Sequence, residues 1–199
     1  INSNIAGCSV LGARETLNYR NRAQFKSDDV KLGYVAQGSH KIADVTHCPV
    51  LNEVNQVHLR ALRQSLPNSD WRPNKKRQWT TIDIDDERGT PLVNQRQAFR
   101  QGNSEQNEQL RVWLRNRLAN LSKPNTVFEL FCGSGNLTEV IAEQVDVPVI
   151  AIEGDEMSLD ALSARNLSKV KPVRINLFSE HSIADDMPNC QSGIGVVLD

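Results

Sequence analysis

Thr126-Val127-Phe128-Glu129-Leu130-Phe131 runs directly into Cys132-Gly133-Ser134-Gly135-Asn136 and then into Leu137-Thr138-Glu139-Val140-Ile141-Ala142-Glu143-Gln144. The first six residues form a short apolar run of strand length. The last eight carry apolar residues three and four apart, as along one side of a helix. The two glycines fall where the chain must turn sharply from one element into the other. Glycine permits such a turn and lets a ligand come close to the backbone. Strand, glycine loop and helix in this order predict the opening of a parallel α/β unit.

Working towards the C-terminus, the same alternation continues. A strand is expected over Pro148–Glu153, a helix over Asp155–Asn166 and a strand over Val173–Asn176. A less regular connection then leads to a strand over Ile194–Asp199. Strands alternating with helices specify a Rossmann-like, doubly wound parallel sheet of the α/β class. Ahead of the loop, Leu110, Trp113, Leu114, Leu118 and Leu121 form the apolar stripe of a helix over Ser104–Leu121. Asn103, with Gln106 three residues on, resembles a capping box.

The N-terminal part has a different period. Leu17, Tyr19, Asn21, Ala23 and Phe25 alternate with Asn18, Arg20, Arg22 and Gln24, which predicts a strand. Further strands are expected over Val30–Val35 and Lys41–Val45. Val50, Val54, Val57, Ala61, Leu62 and Leu66 then fall on one face of a helix over Pro49–Leu66, with Pro49 in its first turn and Pro67 ending it. Residues 67–98 are the least regular. They hold the basic, tryptophan-flanked stretch Trp71–Trp79, a short strand over Thr80–Ile84 and a polar turn at Asp85–Gly89. The division expected is an α+β region of antiparallel strands and a helix over residues 1–98, and a Rossmann-like domain over 99–199.

Composition is that of an ordinary globular protein, 39% hydrophobic and 24% charged. No apolar run approaches the roughly 20 residues of a membrane span, and no signal pattern opens the chain, so no membrane association is expected. Cys8, Cys48, Cys132 and Cys190 form no C-x-x-C pair and read as free thiols, with cytoplasm as the expected location. Net charge is −1, but it is unevenly spread: Lys and Arg outnumber Asp and Glu in residues 1–100, and the reverse holds in 101–199. Contacts to a polyanion are therefore expected from the first half.

In an open parallel sheet, ligands bind beyond the carboxyl ends of the strands. Gly133 and Gly135 lie there, and so does Glu153, which ends the next strand. A carboxylate at this spacing can accept hydrogen bonds from both hydroxyls of a ribose. A dinucleotide fingerprint would carry a third glycine where Thr138 stands, which argues against a pyrophosphate resting on the helix. S-adenosylmethionine has ribose and adenine but no phosphate, and it suits the loop better. A nucleotide-dependent oxidoreductase is the weaker alternative.

Several motifs together resemble the RNA (uracil-5-)-methyltransferases, a class I S-adenosylmethionine-dependent family acting on tRNA and rRNA. Glu129 to Thr138 resembles the family's cofactor loop, and Phe99-Arg100-Gln101-Gly102-Asn103 resembles the F-x-Q-x-N ahead of it. Tyr19-Arg20-Asn21-Arg22 resembles its Y-R-x-[RK] strand, and Ile42 to Leu51 resembles the segment entering the following helix. The resemblance implies cofactor contacts from Gln101, Phe131, Gly133, Gly135, Asn136, Glu153, Asn176 and Asp199. It also implies RNA as partner, through phosphate contacts from Arg20 and Arg22 and from Lys75, Lys76 and Arg77. In the family a cysteine thiolate adds to carbon 6 of uracil before carbon 5 takes the methyl group. That cysteine and the base that follows lie beyond the point where this chain stops, so no catalytic residue is expected here and the chain alone is expected to be inactive. Cys132 belongs to the cofactor loop and is not a substitute. Cys48 stands where iron–sulfur members hold a fourth cluster ligand. The other three ligands are missing, so no metal is expected. A non-catalytic RNA-binding remnant of the fold is the second reading.

Overall fold

The computed structural model of the 199-residue chain describes residues 10–120, 124–178 and 194–198. The chain divides into two compact units. One comprises residues 1–95 with 102–106, the other 96–101 with 107–199.

The first unit is built on a five-stranded antiparallel sheet. Its strands are β1 (Arg22–Ser27), β2 (Leu32–Val35), β3 (Ile42–Asp44), β4 (Thr80–Asp85) and β5 (Leu92–Val93), arranged β3-β2-β1-β4-β5. Alternation along β1 turns Ala23 and Phe25 to the core and Arg22, Gln24 and Lys26 to the other face. The helix α1 (Glu53–Gln64) packs Leu59 and Leu62 against Phe25, Leu32, Ile82 and Ile84. Each such side chain, taken fully out of water, contributes roughly 1.5–3 kcal/mol. Trp71, expected in a basic loop, is 7% exposed and plugs this core from the short helical turn Ser69–Trp71.

Three expectations are corrected in this unit. The first strand begins at Arg22, not Leu17, because Asn18 takes a left-handed conformation (φ 56°) and its N–H binds the carbonyl of Pro49. The helix begins at Glu53, not Pro49, because the Asn52 side chain accepts from Asn55 N at 3.1 Å and caps it there. Its apolar stripe is also turned about. Val54 and Val57 are about half exposed, and the buried positions are Asn55, Gln56, Leu59 and Leu62.

The second unit holds a four-stranded parallel sheet of β6 (Thr126–Leu130), β7 (Val149–Glu153), β8 (Val170–Arg174) and β9 (Ile194–Leu198), in the order β8-β7-β6-β9. From β6 the strands proceed one way to β8, and β9 then returns to pair on the other side of β6. That reversal is the doubly wound, Rossmann-like topology expected. It sets the switch point beside β6, and in open sheets of this kind ligands bind at the carboxyl ends of the strands there. The helices are α2 (Ser104–Leu118), α3 (Asn136–Gln144) and α4 (Glu156–Ser163). α2 and α3 pack on Val127 and Val149, and α4 on Ala151 and Cys132, all on one face of the sheet. Right-handed crossovers from β6 through β7 to β8 put α3 and α4 on that common face. Phe128, Ile150, Ile152 and Ile175 make the other face.

Asn103 caps α2, its Oδ1 accepting Gln106 N at 3.1 Å, which is the first half of the capping box expected. The stripe of α2 is narrower than expected, however: Leu114 and Leu118 are buried, whereas Trp113 lies on the surface under the Arg117 guanidinium. Leu121 is outside the described residues. The third parallel strand spans Val170–Arg174 instead of Val173–Asn176. It is an edge strand, where Pro172 does not interrupt the ladder.

Candidate cofactor site

The site is built at the carboxyl edge of the parallel sheet. β6 and β7 run in register through Leu130 and Ile152, and Cys132 N extends the pairing to Ile152 O at 3.0 Å. The chain then turns through three left-handed residues: Phe131 (φ 62°), Gly133 (φ 52°) and Gly135 (φ 88°). For a bulky residue such as Phe131 this conformation costs on the order of 1–3 kcal/mol, and strain of this kind collects at functional sites. The turn closes with Gly135 N on Cys132 O at 2.9 Å, and α3 follows at once.

The two glycines serve different needs. A Cβ on Gly135 would stand 2.5 Å from Leu162 Cδ1, so its bareness lets α3 start hard against α4. A Cβ on Gly133 would meet nothing within 4 Å; this side of the loop is open to a ligand.

Glu153 ends β7 and turns back to the loop. Its Oε2 accepts the Gly133 N–H at 3.1 Å, and its Oε1 accepts the N–H groups of Gly154 (2.7 Å) and Asp155 (2.9 Å). A carboxylate offers about four lone-pair directions, so roughly one remains for an incoming hydroxyl. The glycine loop and the acidic strand tip therefore face each other on one edge.

The remaining expected residues that are described lie around this edge. Asn136 opens α3, but its amide is engaged with Asn107 in a reciprocal pair (3.0 and 2.7 Å), and its carbonyl accepts from Arg111. Arg111 also binds Glu139 at 2.9 Å. Gln101 is half-buried in the stretch 96–101. That stretch is tied to the edge by the Arg96–Asp155 ion pair at 2.6 Å and by Ser134 Oγ donating to Phe99 O at 3.4 Å. Asn176 lies two residues past β8; its Oδ1 accepts Phe178 N at 3.1 Å, so its N–H₂ group is what it can offer a base. Asp199 lies outside the described residues. Asp155 caps α4. The Ser158 hydroxyl, with Ser158 N–H and Arg96 behind it, holds its carboxyl below the usual range.

Spacing alone did not reveal Asn107, Arg111, Arg96 or Phe178. Asn107 and Arg111 sit one turn apart on α2 and act on a loop some 30 residues away, which no local pattern encodes.

In the other unit, Arg20 is exposed and Lys75 and Lys76 occupy the tip of a turn closed by Asn74 and Arg77. Arg22 places its guanidinium 3.1 Å from Asp83, a carboxylate only 2% exposed. Arg77 donates to the carbonyl of Asp70 at 3.1 Å. Cys48 and Cys132 are both buried and in no disulfide, and Cys48 Sγ lies 3.8 Å from the Tyr34 hydroxyl. Burial, with Cys48 beside it, pushes the Tyr34 hydroxyl above its ordinary range. Cys8 and Cys190 are outside the described residues, among which no cluster of three or more His, Cys, Asp or Glu is set to hold a metal ion. No helix among them is long and apolar enough to cross a membrane.

No family model matches the chain. It is 40% identical over 172 residues to an uncharacterized RNA methyltransferase of Nitrosomonas europaea, an alignment covering 85% of this chain and 44% of that protein. It is 28% identical over 67 residues to an uncharacterized RNA methyltransferase of Synechocystis, covering 31% of this chain and 14% of the relative. Among solved structures, precorrin-6y C5,15-methyltransferase of Geobacter metallireducens is 14% identical with a TM-score of 0.33, over 40% of this chain and 43% of that one. The chain thus spans less than half the length of the curated relatives it matches, and over most of its own length it is similar to an RNA methyltransferase.

Proposed function

We propose that this chain is part of an S-adenosylmethionine-dependent RNA methyltransferase, with the parallel-sheet unit holding the cofactor and the antiparallel unit facing the RNA. The observation that carries this reading is the Glu153 carboxylate closed onto Gly133 N–H at the edge of β6 and β7, beside a glycine whose outer side is open. A ribose fits there if its hydroxyls donate to Glu153, one in the acceptor direction left over and one in place of an N–H group now on it. Thr138, wholly buried in the first turn of α3 where a dinucleotide site would have glycine, supports a nucleoside without a diphosphate. The relatives' names support RNA as the substrate.

The finer reading rests on the family resemblance: methylation at carbon 5 of uridine in tRNA or rRNA, with adenosine contacts from Gln101, Phe131, Asn136, Glu153, Asn176 and Asp199. S-adenosylmethionine would supply an electrophilic methyl group. What the chain itself contributes is a carboxylate to orient the ribose and a backbone loop that admits it closely. The two buried described cysteines, Cys48 and Cys132, are packed away from solvent and do not suit attack on a base.

Calorimetry tests the reading. The chain is expected to bind S-adenosylhomocysteine and not NAD, and Glu153→Ala is expected to weaken binding at least about tenfold, the worth of one hydrogen bond to a charged acceptor. Binding of NAD alone would end it.

A further inference from the structure

Phe178 is 86% exposed, and its ring centroid lies 5.3 Å from that of Phe131, with the planes inclined at 48°. The backbone beneath both rings is set. Phe131 is fixed in the left-handed region, which bulky residues rarely adopt. The turn ahead of Phe178 is fixed by Asn176 Oδ1, which accepts its N–H at 3.1 Å, and Leu177 between them packs on the layer of Phe128, Ile150, Ile152 and Ile175. A ring so constrained and still left in water has an apolar face to offer. It stands at the edge of the sheet that carries Gly133 and Glu153.

We propose that Phe178, propped by the inclined ring of Phe131, is a stacking face for a planar nucleobase. The inference rests on the proposed function, which brings a nucleoside to this edge. It goes further in naming a contact from the segment after β8. Two sources can supply the base: the adenine of the cofactor or an unpaired base of the RNA. Every base has a π-face, so the chemistry is shared and only the donor differs.

The test compares the wild-type chain with Phe178→Ala, Phe178→Leu and Phe178→Tyr. One arm measures S-adenosylhomocysteine binding by calorimetry. The other measures binding of single-stranded oligouridylate with S-adenosylhomocysteine saturating. Phe178→Ala is expected to weaken one arm by about tenfold, within the range for removing a stacking ring, and the arm that moves identifies the source. Phe178→Tyr should bind as wild type, and Phe178→Leu, which keeps apolar bulk without a π-face, should follow alanine. Undiminished binding in both arms, or full retention by Phe178→Leu, overturns the inference. Failure of the wild-type chain to bind S-adenosylhomocysteine would instead remove the cofactor reading and this inference with it.

Discussion

Gly133 and Gly135 are two residues apart, share a left-handed backbone and face opposite demands. Alanine at Gly135 would place a methyl group against Leu162 in a conformation alanine dislikes. The expected loss is about 2 kcal/mol of stability, read as an earlier denaturant midpoint, from strain and overpacking together. Alanine at Gly133 meets no neighbour, so its stability loss should be held to the φ strain of about 1 kcal/mol. Its S-adenosylhomocysteine affinity should nevertheless fall, because the methyl group occupies the open side of the loop. Equal binding by Gly133→Ala and wild type would show that the ligand does not approach there. The sequence marks both glycines as loop residues, but their difference in role depends on Leu162, 27 positions downstream, and only the packed structure supplies it.

At the scale of elements, α1 shows what periodicity cannot tell. Val54, Val57 and Ala61 have helical spacing, yet the buried side carries Asn55 and Gln56 with Leu59 and Leu62. These amides are tolerated inside because they reach backbone carbonyls, Asn55 Nδ2 that of Arg20 and Gln56 Nε2 that of Cys48. Such partners come from another part of the chain, so hydropathy turned the helix the wrong way, although Glu53–Gln64 lies inside the stretch it marked. The parallel strands were more legible, since strands buried on both faces read as continuous apolar runs. The same distinction separates the basic residues. Arg22 on β1 neutralises buried Asp83, which also accepts from Gln24 at 3.0 Å. Arg22→Ala should therefore cost about 3 kcal/mol of stability by leaving a buried charge without its ion-pair partner. Lys75 and Lys76 are exposed at a turn, and their joint replacement by alanine should leave the unfolding midpoint unchanged. RNA affinity should fall across sequences, with the salt dependence shallower by about two counterions if both touch phosphate. An unaltered salt slope would exclude them from the RNA contact.

For the whole molecule, acid is the sensitive direction. Arg63 holds the Asp44 carboxyl below its ordinary value, and Ser158, aided by Arg96, does the same for Asp155. A carboxyl depressed in the folded state contributes stability that is complete above its unfolded value, about 3.9, and drains away as pH falls towards the folded value. The thermal midpoint of the chain should thus decline below about pH 4. Asp44→Asn and Asp155→Asn should each flatten that decline, while a variant curve as steep as wild type would remove the groups from the acid response. These contributions are modest, since both side chains lie near water.

The clasp of Glu153 on three N–H groups has one more consequence. With three of its roughly four acceptor directions already taken, the carboxylate can receive one sugar hydroxyl directly, and a second must displace an N–H group. Under the proposed reading, selectivity would come from how well the second hydroxyl takes the place of the displaced N–H donor, with no steric barrier needed to turn a poorer match away.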